Sequence, residues 1–276
     1  MASIPWDKAA EQELARVPFL VRSLVRNKVS DRVAEKGGER VTLADFREAE
    51  QKFRAVMGGK GGKELEGMMP AENKPGAPMV DIEICHSELS GCPNVLIKVS
   101  EWKQAVEGWI KDNDINEKLR RRVKGGRILF HHKLKISISG CPNGCSRPQI
   151  AGIGVVGFVR PDVDQEKCTA CGECGKVCPD KAITVDGAPP VFDRQACQGC
   201  LACRNICPQK AISLSLPKAR VLAGGKLGRH PHLAERVAEV ETPDALTAIL
   251  DSLVNAYLDG ADPDERFSDY FIRRRR

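Results

Sequence analysis

Hydrophobic residues in the first quarter of the chain recur at the spacing of a helix. Leu20 and Leu24 lie four residues apart in a run of apolar and basic positions, which predicts a helix there. Thr42 and Asp45 have the spacing of a capping box and predict the start of a further helix that runs to about residue 57. We therefore expect a helical domain over residues 1–57, which contain no cysteine.

A stretch rich in glycine and proline follows this helical pattern. It contains GGKGGK and then MMPAENKPGAP, and glycine and proline at this density are typical of connecting segments. We expect a linker over residues 58–79.

From residue 80 onward the pattern mixes strands and helices. Residues 80–84 and 134–139 predict strands, the second with the alternating sequence LKISIS, and residues 150–159 form a further β-rich run. Residues 100–112 and 243–258 predict helices, and the second begins at a proline, which suits the first helical turn. The predicted fold class is therefore α+β.

Residues 164–216 contain an internal repeat of eight cysteines. The runs CTACGECGKVCPDKAITV and CQGCLACRNICPQKAISL both follow C-x2-C-x2-C-x3-C-P, the pattern of bacterial ferredoxins, in which the fourth cysteine of each run ligates the other cluster. The predicted ligands are Cys168, Cys171, Cys174 and Cys207 for cluster 1, and Cys197, Cys200, Cys203 and Cys178 for cluster 2. The alternative, zinc, is typical of paired CxxC motifs rather than two regular runs of four. We expect an inserted two-cluster ferredoxin fold that transfers single electrons.

Four cysteines lie outside the repeat and form a third set. Cys85 and Cys92 are separated by six residues, and Cys141 and Cys145 by three, in the run SGCPNGCSRPQI. Two such pairs, each on a short loop, can hold either a tetrahedral zinc or a third [4Fe–4S] cluster. The spacing alone leaves both interpretations open.

Composition and charge limit the class of protein further. The 276 residues contain no stretch of about 18 apolar residues and no secretory signal at the start, so we expect no membrane span and a cytoplasmic location. Clustered cysteines in a reducing compartment bind metal more often than they form disulfides. The net charge is +6, part of it in the tail 273–276, which we interpret as a solvated end. No nucleic-acid-binding motif accompanies this charge, so we expect no nucleic-acid partner.

The surroundings of the third set resemble a known family. SGCPNGC, preceded by HHKLKISI and followed by IAGIGVVGFV, resembles the sirohaem and iron–sulfur sulfite and nitrite reductases, as do RVLAGGKLGRHP at 220–231 and the run ERF at 265–267. The resemblance implies that the third set holds a [4Fe–4S] cluster and that Cys145 also bridges to the sirohaem iron. It further implies that a glycine-rich segment lies beside the tetrapyrrole, with Gly224, Gly225, Lys226 and Arg229 as the cofactor-binding residues.

This resemblance defines the expected domain organisation. Residues 80–163 and 217–271 form the αβ sulfite-reductase-like unit, and the ferredoxin segment 164–216 is inserted into it, as in the catalytic chains of anaerobic sulfite reductases.

The N-terminal segment resembles another family. Trp6, the run VPFLVRSLVR and the run VTLADFREAE are similar to the C-terminal domain of light-independent protochlorophyllide reductase subunits.

The resemblance implies an oxidoreductase that reduces a small anion, sulfite or nitrite, with electrons from a donor protein or subunit. The alternative is a non-catalytic electron-transfer or tetrapyrrole-handling subunit of a larger redox complex. Complete sulfite reductases carry a ferredoxin-like half before the first cysteine pair, whereas only the helical segment and the linker precede Cys85 here. Two interpretations follow. Either a second subunit or a second copy of the chain completes the pocket, as a hetero-complex or homo-oligomer, or the sirohaem site is degenerate.

Overall fold

The computed structural model describes residues 4–17, 19–56 and 71–275. The chain divides into two compact units, residues 1–69 and 70–276. Within the described ranges, no helix is long and apolar enough to cross a lipid bilayer.

The first unit contains three helices that contact one another: α1 (Lys8–Arg16), α2 (Phe19–Glu35) and α3 (Leu43–Val56). The capping box is present at the start of α3, because Thr42 N donates to Asp45 Oδ2 at 2.9 Å and Asp45 N donates to Thr42 Oγ1 at 3.3 Å. A small core joins these elements through the buried residues Ala10, Val29, Val33 and Val41. The predicted helices are confirmed, and the end predicted at residue 57 lies outside the described residues.

The second unit is a mixture of strands and helices, which confirms the α+β class. Its strands are β1 (Ala71–Glu72), β2 (Val80–Ile84), β3 (Arg127–Ile128), β4 (Leu134–Ser139), β5 (Ile153–Phe158), β6 (Pro161–Val163), β7 (Ile183–Thr184), β8 (Val191–Phe192), β9 (Ile212–Leu214), β10 (Lys218–Ala223) and β11 (Glu235–Val240). Its helices are α4 (Val99–Asp112), α5 (Ile115–Arg120), α6 (Glu173–Val177), α7 (Ala202–Ile206), α8 (Pro243–Gly260) and α9 (Phe267–Arg275). Short 3₁₀ turns lie at Phe130–His132 and Pro148–Ile150.

A five-stranded sheet organises this unit, in the order β11-β10-β5-β4-β2. β2, β4 and β5 are parallel to one another, with Ile82 opposite Ile136 and Ile138 opposite Val155, whereas β10 and β11 run antiparallel. Because the carboxyl ends of parallel strands lie at the same edge, the loops that follow β2, β4 and β5 begin side by side.

Helices α4 and α8 contact each other and supply much of the core. Trp102, Val106 and Trp109 lie on one face of α4 at helical spacing, and all three are buried. Leu246 and Leu250 of α8 are fully buried in the same core. The helix predicted at 100–112 therefore begins one residue earlier and otherwise agrees with the prediction.

The expected linker does not extend to residue 79. Met79 is fully buried in the core, and β1 pairs antiparallel with β3 through Ala71 and Ile128. Residues 71–79 therefore belong to the second unit, while 57–70 lie outside the described residues.

The two halves of the segment 164–216 fold alike. Cys178 directly follows α6 and Cys207 directly follows α7, and these two cysteines have nearly the same backbone angles, φ −66° and ψ 113° against φ −65° and ψ 112°. β6 pairs with β9, and β7 pairs with β8, both antiparallel. The sequence repeat is therefore also a structural repeat.

Candidate iron–sulfur centres

The third cysteine set lies at the carboxyl edge of the parallel strands. Cys85 follows β2 directly, and its N–H donates to the carbonyl of Ile138 at 3.0 Å, which fixes it beside the end of β4. Burial raises the pKa of the Cys141 thiol, and the neighbouring thiols Cys92, Cys145 and Cys85 raise it further. The structure therefore brings all four cysteines of this set together.

Three buried serines hold the loop that carries Cys141 and Cys145. Ser146 Oγ donates to the carbonyl of Ile138 at 2.9 Å and lies 2.7 Å from Ser139 Oγ, and Ser137 Oγ donates to the carbonyl of Ser146. Ser137, Ser139 and Ser146 are each no more than 2% exposed. Buried hydroxyls need hydrogen-bond partners, so this network fixes the loop against β4. The sequence did not predict this network, because LKISIS is typical of an alternating strand with its serines on the exposed face.

The four sulfurs of the third set differ in exposure. Cys85 and Cys141 are buried, and Cys85 Sγ accepts from Gly140 N at 3.2 Å and lies 3.3 Å from Ser87 Oγ. Cys145 is exposed. The buried thiols thus have polar groups to stabilise bound sulfur, while Cys145 is open to a group outside the set.

The cysteines predicted for cluster 1 line one cavity. Cys168, Cys171 and Cys174 from the first run surround it together with Cys207 from the second run. In the other half, Cys178 of the first run lies near Cys197 of the second: burial raises the pKa of the Cys197 thiol, and the neighbouring Cys178 thiol raises it further. The structure therefore brings the fourth cysteine of each run next to the other run.

Backbone N–H groups point at the cysteine sulfurs in both halves of the repeat. Ala182 N donates to Cys178 Sγ at 3.4 Å, and Ala211 N donates to Cys207 Sγ at 3.3 Å. Hydrogen bonds of this kind stabilise a thiolate and tune the potential of a bound cluster. Burial raises the pKa of the Cys203 thiol to about 11.

None of the twelve cysteines, all of which lie within the described residues, forms a disulfide. Within the same ranges, no three side chains of Cys, His, Asp or Glu lie close enough together to bind a single metal ion. Four thiols surround the cavity of the cluster 1 set, and four cysteine thiolates are the usual ligands of an iron–sulfur cluster.

The loop of the second cysteine run packs against the end of β5. Val159 N donates to the carbonyl of Gly199 at 3.1 Å, and a Cβ added to Gly199 would lie 2.2 Å from the carbonyl oxygen of Val159. Within β5, Gly157 lies against Gly140, where an added Cβ would come within 2.4 Å of the Gly140 oxygen. Gly140 precedes Cys141, so packed backbone joins the Cys197 loop to the third set.

The glycine-rich segment is more enclosed than its expected role suggests. A Cβ on Gly224 would lie 2.4 Å from a ring carbon of Phe271, and a Cβ on Gly225 would lie 2.5 Å from the carbonyl oxygen of Ala151. Lys226 Nζ pairs with Asp269, whereas Arg229 is exposed. The glycines therefore allow close packing within the protein, and Arg229 is the member of this expected set that remains exposed.

Two basic side chains close to the third set share one carboxylate. Lys135 Nζ lies 2.5 Å from Glu83 Oε2, and Arg147 Nη2 lies 2.8 Å from Glu83 Oε1. Burial would raise the pKa of Glu83, but the hydrogen bonds from Arg147 and Lys135 outweigh burial and lower it. Lys135 is thus engaged within the protein.

The mixed αβ unit and its cysteine sets are features of an iron–sulfur oxidoreductase. The chain belongs to the nitrite and sulphite reductase 4Fe-4S domain family, whose sequence model matches residues 82–274, more than half of the chain. Residues 6–50 match a second family, described as the proto-chlorophyllide reductase 57 kD subunit. Both family resemblances seen in the sequence are confirmed.

Individual relatives match over shorter stretches. The coenzyme F420-dependent sulfite reductase of Methanocaldococcus jannaschii is 54% identical over 56 residues, which cover 20% of this chain and 9% of that protein. One subunit of the anaerobic sulfite reductase of Salmonella typhimurium is 32% identical over 73 residues, which cover 26% of this chain and 22% of that protein. The matches therefore span less than a quarter of either relative.

Among solved structures, dissimilatory sulfite reductase I (DsrI) aligns with a TM-score of 0.48 and 18% identity, over 70% of this chain and 49% of that one.

Proposed function

We propose that this protein reduces sulfite or nitrite at a sirohaem–[4Fe–4S] centre that receives electrons from two ferredoxin-type clusters. The observation that carries the proposal is the meeting of the third cysteine set and the Cys197 loop at one edge of the sheet. Cys85 follows β2, Cys141 lies just beyond β4, and Gly199 contacts Val159 directly after β5. These three strands are parallel, so their ends are neighbours.

The thiolates that hold the clusters are the twelve cysteines. Cluster 1 takes Cys168, Cys171, Cys174 and Cys207; cluster 2 takes Cys197, Cys200, Cys203 and Cys178; cluster 3 takes Cys85, Cys92, Cys141 and Cys145. Each bound cluster supplies one-electron transfer. The protein excludes water from Cys141 and Cys203, directs backbone N–H groups at the sulfurs, and leaves Cys171 exposed on the cluster 1 side, where a donor protein or subunit has access.

Sirohaem, when bound, supplies an iron at which a small oxyanion is reduced. Cys145 would hold the sirohaem beside cluster 3, because it is the exposed thiol of that set. Arg229 is exposed and suits a tetrapyrrole carboxylate or the anion, since guanidinium pairs with either. Gly224 and Gly225 act differently from the expectation: they hold the segment close to Phe271 and Ala151 and so position Lys226 and Arg229.

One observation favours a second candidate, a non-catalytic electron-transfer or tetrapyrrole-handling subunit. Lys226 pairs with Asp269, and both glycines are covered by protein. Fewer groups than expected are therefore available to a macrocycle on this chain alone. Under this second candidate a partner protein supplies the remaining contacts, or the chain passes electrons onward.

Turnover with matched cysteine variants separates the two candidates. Anaerobically purified protein is given reduced viologen and either sulfite or nitrite, and tetrapyrrole is extracted in parallel. Under the first candidate the protein oxidises viologen, and Cys145→Ala loses tetrapyrrole while the ferredoxin-type clusters, about eight irons, remain. Cys171→Ala is the control, because its thiol is also exposed but belongs to cluster 1, and it keeps the tetrapyrrole. Fully loaded clusters without tetrapyrrole or turnover would favour the second candidate.

A further inference from the structure

Arg220 is a buried cation that connects the main sheet to the Cys197 loop. It belongs to β10, and the residue is 7% exposed. Its guanidinium donates to the carbonyl of Cys197 at 3.0 Å, to the carbonyl of Gln198 at 2.9 Å and to Gln198 Oε1 at 3.1 Å. Cys197 is a predicted ligand of cluster 2, so this side chain fixes the backbone of a cluster loop.

The charge of Arg220 is only partly neutralised. The nearest carboxylate is that of Glu239, 3.7 Å from Arg220 Nε, and Nε itself has no hydrogen-bond partner. Glu239 pairs more closely with Arg160, at 2.6 Å. The guanidinium also lies over the ring of Phe158, 4.2 Å from its centroid, which shields it from water. A buried charge without a full partner acts strongly on nearby charges, because the low-dielectric surroundings screen it little. Its burial is also costly.

The two halves of the repeat differ at this point. Within residues 71–275, no arginine or lysine side chain donates to the carbonyls of Cys168 or Thr169, which occupy the matching positions in the first run. Ala170, which matches Gly199, likewise has a φ of +51°, so the two loops share a backbone conformation while only the second contacts a buried cation. The two cysteine loops therefore differ because Arg220 of the sheet contacts only the second loop. The repeated sequence alone does not produce this difference.

We propose that Arg220 is a positioning residue that locks the Cys197 loop onto the sheet and raises the reduction potential of cluster 2. The inference rests on the proposed function in one respect, that both ferredoxin-type clusters are bound. Reduction adds one electron to the cluster with no proton, so the cluster and its thiolates become more negative by one charge. A fixed cation in a low-dielectric surrounding favours that product.

The test is a redox titration followed by electron paramagnetic resonance, with dithionite as reductant, on the full chain with all clusters loaded. In Arg220→Gln the equilibrium constant for reducing one ferredoxin-type cluster is expected to fall about tenfold, which is about 59 mV for one electron. The other two clusters keep their potentials. Arg220→Lys retains the charge and is expected to stay within about threefold of the wild type.

Lys218→Gln is the matched control. Lys218 lies on the same strand as Arg220, but its side chain is 33% exposed and pairs with Glu241 at 2.6 Å, so its removal is expected to leave all potentials in place. If Arg220→Gln instead loses one cluster, about four irons, with the other signals intact, the locking role is supported. Unchanged potentials in a fully loaded variant, or loss of all clusters together, would overturn the proposal. Absence of the ferredoxin signals in the wild type would count against the proposed function, since Arg220 is intact there.

Discussion

Gly199→Ala should destabilise the second unit by more than its backbone conformation alone explains. Gly199 has a φ of +72°, in the left-handed region, and an added Cβ would lie 2.2 Å from the carbonyl oxygen of Val159 and 3.2 Å from Cβ of Phe158. Both contacts are with the end of β5, which cannot rotate away as a flexible side chain would. The Cys197 loop or the strand end must move.

The size of the effect follows from two contributions. A non-glycine residue in the left-handed region costs about 1–2 kcal/mol. Displacement of packed backbone by an inserted carbon costs about 1–3 kcal/mol more. The sum is about 2–5 kcal/mol, and a unit of this size loses roughly 2–4 °C of melting temperature for each kcal/mol, so a fall on the order of 10 °C is expected. Ala170, at the matching position of the first run with φ +51°, indicates that the left-handed conformation itself accepts alanine.

Thermal unfolding of the loaded protein, followed by circular dichroism, measures this effect. Gly187→Ala is the control, because Gly187 lies in the same inserted segment and also has a positive φ, +68°, but an added Cβ there meets nothing within 4 Å. The control should lose only the backbone part, about 1–2 kcal/mol. Equal losses in the two variants would refute the contact between the Cys197 loop and β5.

Three further changes test other parts of the structure. Arg122→Ala removes donors to the carbonyls of Leu258, Ala261 and Asp262. The free energy of unfolding measured in urea should fall by about 2–4 kcal/mol. No change would mean that these hydrogen bonds do not hold the end of α8. Ser146→Ala should lower the free energy of unfolding by about 1–3 kcal/mol, because buried hydrogen bonds of the serine network are lost. Cluster 3 should then lose its iron to a chelator faster than in the wild type. An unchanged rate of iron loss would count against the serine network. The hydrogen bond from Arg273 lowers the pKa of Glu265 below its ordinary 4.5, so this pair stabilises the fold above that pH and its contribution is lost as the pH falls through the folded value. Glu265→Gln should therefore flatten the acid side of the stability curve, and an unaltered curve would contradict the pairing.

Local sequence signals predicted many of the elements well. The strands at 80–84 and 134–139 have the predicted bounds, and the capping box of Thr42 and Asp45 forms at α3. These signals are short-range, because a strand pattern or a cap depends on residues close in sequence. β11 was not predicted, since its sequence ERVAEV has few buried positions and its pairing with β10 depends on the rest of the sheet.

The chemistry of the site was partly predictable for a related reason. Cysteine spacing is a local feature, so the three sets could be proposed from the sequence, and the structure brings the members of each set near one another. Burial of Ser137 and Ser139 could not be predicted, because it arises from β4 lying between β2 and β5. The same holds for Arg220 and Gly199, whose contacts join positions at least 22 residues apart across the inserted segment. Gly224 and Gly225 were expected to face a macrocycle, and their packing against Phe271 and Ala151 depends on the C-terminal helix and a distant loop.

Iron and labile sulfide per chain, counted on protein purified without oxygen, test the central claim most directly. The claim is that the twelve cysteines form three sets of four and that each set holds one [4Fe–4S] cluster. It predicts about twelve irons and about twelve sulfides per chain. A count of about eight of each, with zinc or free thiols at Cys85, Cys92, Cys141 and Cys145, would contradict it, because the third set would then hold no cluster for a sirohaem to join.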